Sequence, residues 1–422
     1  MTKQPANKLW TYDFTVITIG SLVSMVGNAM ASFGISLVVL DYTGSTFLYM
    51  LFNVCYQLPM LVMPLLAGPY LDRMSRKRMI YSLDYLSAGL YLIFFLLLHM
   101  EWMNYGILLA GSVLSGAING VYIVAYDSFY PSLIPEGYFR QAYSVSSMLW
   151  PLASMTTPLA AAVYDLLGSA EPIFVTNALC FFTAACFERS IRHQETHMAG
   201  APPAEGLSAV KQFRRDFQEG LAYLMGERGL LMISLYFIAS GVTSGATNLH
   251  LPFFRSHAHL YTAWPVAAVT LYAIVSNFDV AGRLAGGVIQ YKLRIPADKK
   301  YDIAFCVYIT ISIIGAVLLF LPIPLMAAAF FLDGILGVTS YTIRTAATQA
   351  YVPDAKRARF NGIFETLASI GMISGSLVSG ALAEALPERG VLVAANLLSL
   401  AAAYLFIYRG REAVKQVYNR EV

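Results

Sequence analysis

Twelve long apolar runs constrain this chain more than any other feature of its sequence. Each run has about 20 residues or more, enough for a helix to cross roughly 30 Å of hydrocarbon. Since every backbone group inside a bilayer must be paired within the protein, so many runs predict a bundle of membrane-spanning helices. They lie at 14–40, 46–67, 79–100, 104–130, 139–167, 171–188, 229–254, 262–290, 302–322, 325–350, 360–386 and 390–408.

The composition supports this interpretation and excludes a water-soluble globule. Of the 422 residues, 57% are hydrophobic and 13% are charged, and the mean hydropathy is +0.59. These values are typical of a polytopic membrane protein, and nothing in them favours nucleic-acid binding. The long polar interval falls midway and predicts a six-helix bundle at 1–190, a cytoplasmic linker at 191–228, and a second six-helix bundle with a short tail at 229–422.

An internal repeat indicates that the two halves are duplicates. The segment from Gly68 to Arg76 and the segment from Gly286 to Arg294 begin and end with the same residue types, 218 positions apart. A proline followed by an acidic residue, at Pro135 and again at Pro353, recurs at the same offset. Two turns at one offset predict two pseudo-symmetric six-helix bundles in an all-α membrane protein.

The distribution of cations predicts the orientation. With the N-terminus placed inside, 24 of the 28 lysines and arginines fall in inside segments. Cytoplasmic loops carry such an excess, so we expect both termini in the cytoplasm. The first apolar run is also too long for a signal peptide and is expected to remain as the first span.

The charged turn between the second and third runs carries a family resemblance. It reads Gly-Pro-Tyr-Leu-Asp-Arg-Met-Ser-Arg-Lys-Arg over 68–78, and it resembles the signature loop of the major facilitator superfamily. The matching residues are Gly68, Asp72, Arg73, Arg76 and Lys77, whereas a serine replaces the glycine usual between the basic groups. The resemblance implies twelve transmembrane helices and transport by alternating access of two halves, without cofactor, metal or catalytic residues.

The same resemblance implies a conformational latch at this loop. Family members commonly pair the loop arginine with an acidic residue at the end of the fourth helix, which predicts a pair between Arg76 and Asp127. The loop aspartate, Asp72, is expected near the start of the eleventh helix, at Asn361 and Gly362. The alternative for Asp127 is an interfacial residue in contact with water.

Charged residues inside apolar runs need a partner or a water-filled cavity. Asp279 and Arg283 are four apart on one helix face, and Arg344 and Glu365 fall at a similar depth on later helices. We expect these four to form one buried, charge-balanced layer, with Asp279 and Glu365 as the leading proton-coupling candidates. A static ion-pair network is the alternative. Asp84 is interpreted as an interfacial residue.

Four polar residues are placed to meet substrate, if the resemblance holds. In this family the first, fourth, seventh and tenth helices line the central cavity, which predicts cavity positions for Asn28, Asn119, Asn248 and Asp333. The alternative for each asparagine is a hydrogen bond between helices.

The Pro-Glu and Pro-Asp turns, with the later Arg140-Gln-Ala and Arg359-Phe-Asn, resemble the branch of bacterial macrolide and siderophore exporters. We therefore expect a monomeric exporter of amphipathic small molecules in the bacterial cytoplasmic membrane, driven by a proton gradient. A lysolipid flippase, an importer or uniporter, and a non-transporting receptor remain alternatives. The chain has no His-Glu-x-x-His, Gly-x-Ser-x-Gly or Walker motif, so we do not expect an enzyme.

Overall fold

The computed structural model describes residues 9–71, 74–135, 138–193, 195, 209–292 and 295–420. Within these residues the secondary structure is helical, without strands. The helices are α1 (Tyr12–Thr43), α2 (Thr46–Leu71), α3 (Arg76–His99), α4 (Tyr105–Phe129), α5 (Phe139–Ser154), α6 (Thr157–Leu167), α7 (Glu171–Arg189), α8 (Ala209–Gly226), α9 (Arg228–Ala246), α10 (His250–Ser256), α11 (Ala268–Lys292), α12 (Lys300–Val317), α13 (Ile323–Tyr351), α14 (Asp354–Ala383), α15 (Glu388–Ala402) and α16 (Arg411–Tyr418).

Nine stretches of the described residues are long and apolar enough to cross a membrane, judged by length and composition. They contain α1, α2, α3, α4, α9 with α10, α12, α13, α14 and α15. The other three predicted spans are also helical and correspond to α5 with α6, α7 and α11.

The fifth predicted span is two helices rather than one. α5 ends at Ser154 and α6 begins at Thr157, with a turn at Met155 and Thr156 between them. Pro151 lies inside α5, and α6 has a proline in its first turn. Because proline lacks an N–H and its ring crowds the preceding turn, closely spaced prolines interrupt the helical ladder. The hydropathy of the sequence indicates one long apolar run at 139–167 and gives no sign of this break.

The chain divides into two compact units. Unit 1 comprises Met1–Gly44 and Cys55–Ala209, and unit 2 comprises Ser45–Val54 and Val210–Val422. The main division therefore falls inside the interval predicted as a linker, part of which forms helix α8. In unit 1, α7 packs against α1 and α3; in unit 2, α11 packs against α13 and α9 against α14.

Equivalent helices cross closely in both units at two glycines separated by the predicted offset, although the residues that these glycines meet on α2 and α11 are not separated by that offset. A Cβ placed on Gly116 of α4 would lie 2.0 Å from the carbonyl oxygen of Tyr56 on α2. A Cβ on Gly334 of α13, 218 residues later, would lie 2.1 Å from the carbonyl oxygen of Asp279 on α11. Only glycine permits so close a helix approach. The shared contact supports the duplication inferred from the sequence repeat.

The C-terminal helix α16 is packed into unit 2. Val414, Val417 and Tyr418 are fully buried, and the hydroxyl of Tyr418 hydrogen-bonds that of Tyr308 on α12 at 2.7 Å. The tail predicted as a short cytoplasmic extension therefore contributes to the hydrophobic core of its unit.

Candidate transport and proton sites

The charged turn before α3 contacts the end of α4. Ser75 caps α3 by accepting a hydrogen bond from the Arg78 N–H at 3.1 Å, as serine commonly does at this position. Arg76 Nη1 donates to the carbonyl oxygen of Ser128 at 3.0 Å, one residue beyond Asp127. Arg76 therefore contacts the residue next to Asp127. The predicted pair between Arg76 and Asp127 itself stays a prediction.

Only some of the other predicted latch residues lie within the described part of the chain. Asp72 and Arg73 lie outside the described residues, and Gly68 falls in the last turns of α2. Lys77 donates from its side chain to the Ile191 carbonyl. Its backbone N–H donates to Glu195 Oε1 at 2.9 Å. Lys77 therefore anchors the segment that follows α7.

The predicted cavity asparagines hydrogen-bond between helices, as the alternative interpretation holds. Asn119 on α4 donates to the Tyr56 hydroxyl on α2 at 2.6 Å, and Asn28 on α1 hydrogen-bonds the same hydroxyl. In unit 2, Asn248 donates to the Ser376 hydroxyl on α14 at 3.2 Å. All three asparagines are only partly buried. Contact with substrate stays a prediction.

In unit 2 the structure brings two acids to one base. Arg283 Nε donates to Asp279 Oδ2 at 2.7 Å, which confirms the predicted contact on α11. Asp333 on α13 is partly buried and lies close enough to interact electrostatically with both residues. Sequence reasoning had placed Asp333 separately. Its position follows from the tight crossing of α11 and α13 at Gly334.

The other two members of the predicted layer lie elsewhere, so a single buried layer of four does not form. The Arg344 guanidinium lies over three aromatic rings, with its central carbon 4.3 Å from the ring centre of Phe364, 5.0 Å from that of Phe237 and 5.4 Å from that of Tyr341. The Glu365 side chain is exposed and forms no ion pair with another described residue. Aromatic faces attract a guanidinium, and neighbouring rings were not part of the charge-based prediction.

Sequence reasoning missed a pair of acids in unit 1. Asp84 on α3 is 2% exposed and Glu188 on α7 is fully buried. Their carboxyl groups lie close enough to interact electrostatically, and the Tyr122 hydroxyl on α4 donates to Glu188 Oε1 at 3.1 Å. Both acids lie near the ends of apolar runs, where a charge normally indicates an interface. Nothing in the sequence links two positions 104 residues apart.

A further acid caps a helix within unit 2. Glu384, immediately after α14, accepts from the Ser45 hydroxyl at 2.6 Å and from the Phe47 N–H at 2.9 Å, at the start of α2. The Ser45 hydrogen bond, followed by the Phe47 N–H, lowers the pKa of Glu384 below its usual range. Both donors favour the ionised carboxylate over the acid.

Comparison with known proteins agrees with this architecture. The chain is 23% identical over 286 residues to the uncharacterized MFS-type transporter YkuC of Bacillus subtilis, a match that covers 67% of this chain and 66% of that protein. It is 22% identical over 291 residues to macrolide efflux protein A of Streptococcus pyogenes, covering 68% of this chain and 69% of that relative. The chain thus spans about two thirds of each relative.

Solved structures share the fold at low sequence identity. The nucleoside transporter NupG superposes with a TM-score of 0.69 at 14% identity, covering 94% of this chain and 98% of NupG. A bacterial homologue of the human lysosomal transporter Spinster gives a TM-score of 0.64 at 15% identity, with 97% and 98% coverage. The family model described as Major Facilitator Superfamily matches residues 17–297 and 299–421. The chain is therefore a multi-pass membrane transporter that belongs to the Major Facilitator Superfamily.

Proposed function

We propose that this protein exports amphipathic small molecules by alternating access, driven by protons that enter in exchange. The group of Asp279, Arg283 and Asp333 in unit 2 carries the proposal. Two carboxyl groups interact there with one guanidinium. With both acids ionised the group holds one uncompensated negative charge in a partly buried place, and such a charge is costly near hydrocarbon. One proton would neutralise it.

The distribution of contacts gives the two acids different roles. Asp279 already has its cation at 2.7 Å, so we propose that it stays ionised. Asp333 is the acid without that direct contact, and we propose that it takes up the proton when its side of the protein opens to the acidic compartment. Loss of this proton would leave one net negative charge, and a cationic or polar group of the substrate could then take the place of the proton. This is the exchange that an antiporter requires.

The substrate class rests on relatives rather than on geometry. Macrolide efflux protein A, similar over about two thirds of the chain, supports a large amphipathic substrate. The fold is also shared with a nucleoside transporter, so the fold by itself does not select the substrate.

The test uses purified protein in liposomes, a radiolabelled macrolide as probe, and an imposed pH gradient. Wild type is expected to move the macrolide faster with the gradient than without it, and Asp333→Asn is expected to lose that dependence. Asp302→Asn is the matched control, because Asp302 is an exposed aspartate in the first turn of α12. The control should behave as wild type.

Each contrary outcome rejects a definite part of the proposal. Macrolide flux that ignores the gradient in wild type would reject proton coupling and favour a uniporter or flippase. Macrolide binding without flux would favour a receptor. Gradient dependence retained in Asp333→Asn would remove Asp333 from the mechanism while leaving the antiport intact.

A further inference from the structure

The acid pair of unit 1 is chemically distinct from the group around Asp333. Its members are Asp84 on α3 and Glu188 on α7, which are 2% and 0% exposed. Two carboxyl groups can hydrogen-bond each other only when one of them keeps its proton. Asp84 and Glu188 are buried within interaction distance of each other, so one bound proton would let the two carboxyl groups pair instead of repelling each other.

The surroundings supply no cation in place of that proton. From α4, Tyr122 donates to Glu188 at 3.1 Å, and Tyr126 lies near the same carboxyl group. From α1, Gly20 faces the Glu188 side chain, and a Cβ placed on Gly20 would lie 3.4 Å from the Glu188 Cγ. No lysine, arginine or histidine among the described residues forms an ion pair with either acid. Two buried carboxylates without a cation would repel each other strongly.

The pocket also contains polar atoms that the described residues do not satisfy. Asp84 Oδ2 and Glu188 Oε2 are buried and accept no hydrogen bond from a donor among those residues. Buried polar groups in a purely structural network are normally satisfied. Spare acceptors are instead what a site needs when its proton count changes.

The acid pair lies near one end of unit 1. Glu188 lies in the last turn of α7. The segment beyond it is held by Lys77, which donates to Ile191 and Glu195, and by Asp13, whose Oδ1 accepts from the Arg192 N–H at 2.8 Å. These are polar contacts at the end of the unit that is predicted to face the cytoplasm. They can open without disturbing the apolar core.

We propose that Asp84 and Glu188 form a second proton-binding site, which exchanges one proton with the cytoplasmic side in each transport cycle. The inference deepens the proposed proton-coupled export and rests on it. In the loaded state the shared proton holds α3 against α7. After release, repulsion between the two carboxylates loosens that contact next to α1 and α4.

Infrared difference spectroscopy of the protein in lipid tests for the shared proton directly. A pH titration of wild type is expected to show the carbonyl stretch of a buried protonated carboxyl group at neutral pH, and its loss at high pH. Asp84→Asn and Glu188→Gln should each remove this signal, and Asp302→Asn should leave it unchanged. An absent signal in wild type, or one unchanged in both pair variants, would overturn the proposal. Displacement of the signal by sodium at constant pH would do the same, because it identifies a metal-cation site.

Transport assays separate this inference from the function on which it rests. If wild-type macrolide flux depends on the pH gradient and both pair variants keep that dependence, the pair is not a coupling site although export stands. If wild-type flux does not depend on the gradient, the proposed function fails even where the infrared signal is present. Loss of the gradient response in both variants, with macrolide binding retained, supports the inference.

Discussion

The third and sixth membrane spans of each unit are joined by different chemistry at nearly equivalent positions. In unit 1, α3 and α7 meet through the carboxyl groups of Asp84 and Glu188. In unit 2, near the positions 218 residues later, the Tyr301 hydroxyl on α12 donates to the Ile407 carbonyl at 3.1 Å. The tyrosine contact needs no exchangeable proton near neutral pH, whereas the acid pair does. Of these two contacts, the acid pair is the one that the proposed proton would switch.

The fourth membrane span of each unit, α4 and α13, also carries a different side chain at equivalent positions. Tyr126 faces the acids in unit 1, and 218 residues later Arg344 occupies the corresponding place on α13. One duplicated scaffold thus holds acids without a cation in one copy and a cation among aromatic rings in the other. This contrast indicates that the halves kept their helix crossings and diverged in their polar interiors.

The largest expected effect tests what the two units share. Gly116→Ala and Gly334→Ala each place a Cβ about 2 Å from a backbone carbonyl oxygen. We expect each to destabilise its unit by about 1–3 kcal/mol, the usual range for overpacking, with a matching fall in Tm in detergent.

Gly89→Ala on α3 is the control for these variants, because no atom lies within 4 Å of its added Cβ. Alanine there should be neutral or slightly stabilising, since it favours helix. If only one of the two glycine variants lowers Tm, the two crossings are not equivalent, and the two units do not share this structural feature.

The sequence was sufficient to predict the all-α fold in outline, for a physical reason. The hydrocarbon thickness sets helix length, and the offset of 218 appears in turns whose residue types are restricted by geometry. The break at Met155 depends on local competition between two prolines and the apolar run, which hydropathy does not weigh. The assignment of Ser45–Val54 to unit 2 depends on packing alone.

A second prediction tests the cation of unit 2. Arg344→Gln should lower Tm by an amount equivalent to about 1–2 kcal/mol, because the guanidinium lies over three rings. Arg344→Lys should fall between wild type and Gln, since an ammonium stacks less well. Arg411, with a single ring at 6.0 Å, supplies the control variant Arg411→Gln, which should have little effect. Greater stability in Arg344→Gln would mean that the desolvation of the guanidinium costs more free energy than its contacts with the aromatic rings contribute.

The candidate sites were less predictable than the fold. Asp279 and Arg283 are four residues apart on one helix, so their contact follows from helical geometry. Asp84 and Glu188 meet only after α3 and α7 pack. Their depth also resembled that of interfacial charges, as both lie within three turns of a helix end. Hydrophobic patterns locate helices and do not specify which polar side chains face each other.

A third prediction concerns pH and the cap formed by Glu384. Its pKa is lowered from the ordinary 4.5, so its stabilisation is fully present above 4.5 and is lost as the pH falls further, through the lowered pKa of the folded state. Glu384→Gln should lower stability near pH 6 by about 0.5 kcal/mol, below the usual value of a helix cap because the site is exposed. Wild type and variant should converge at a pH below the lowered pKa of Glu384, where the carboxyl group is protonated in both the folded and the unfolded state. A difference that persists there would show that charge is not the cause.

The smallest expected effect comes from the ion pair of unit 2. A double-mutant cycle with Asp279→Asn and Arg283→Gln should give a coupling energy of about 0.3–0.5 kcal/mol, because the Arg283 side chain is 51% exposed and the charges are partly solvated. Thermal unfolding in detergent at neutral pH measures it. A coupling above about 2 kcal/mol would indicate a desolvated pair. A small coupling sharpens the contrast with unit 1, where the proposed proton would join two acids that form no ion pair with a cation among the described residues.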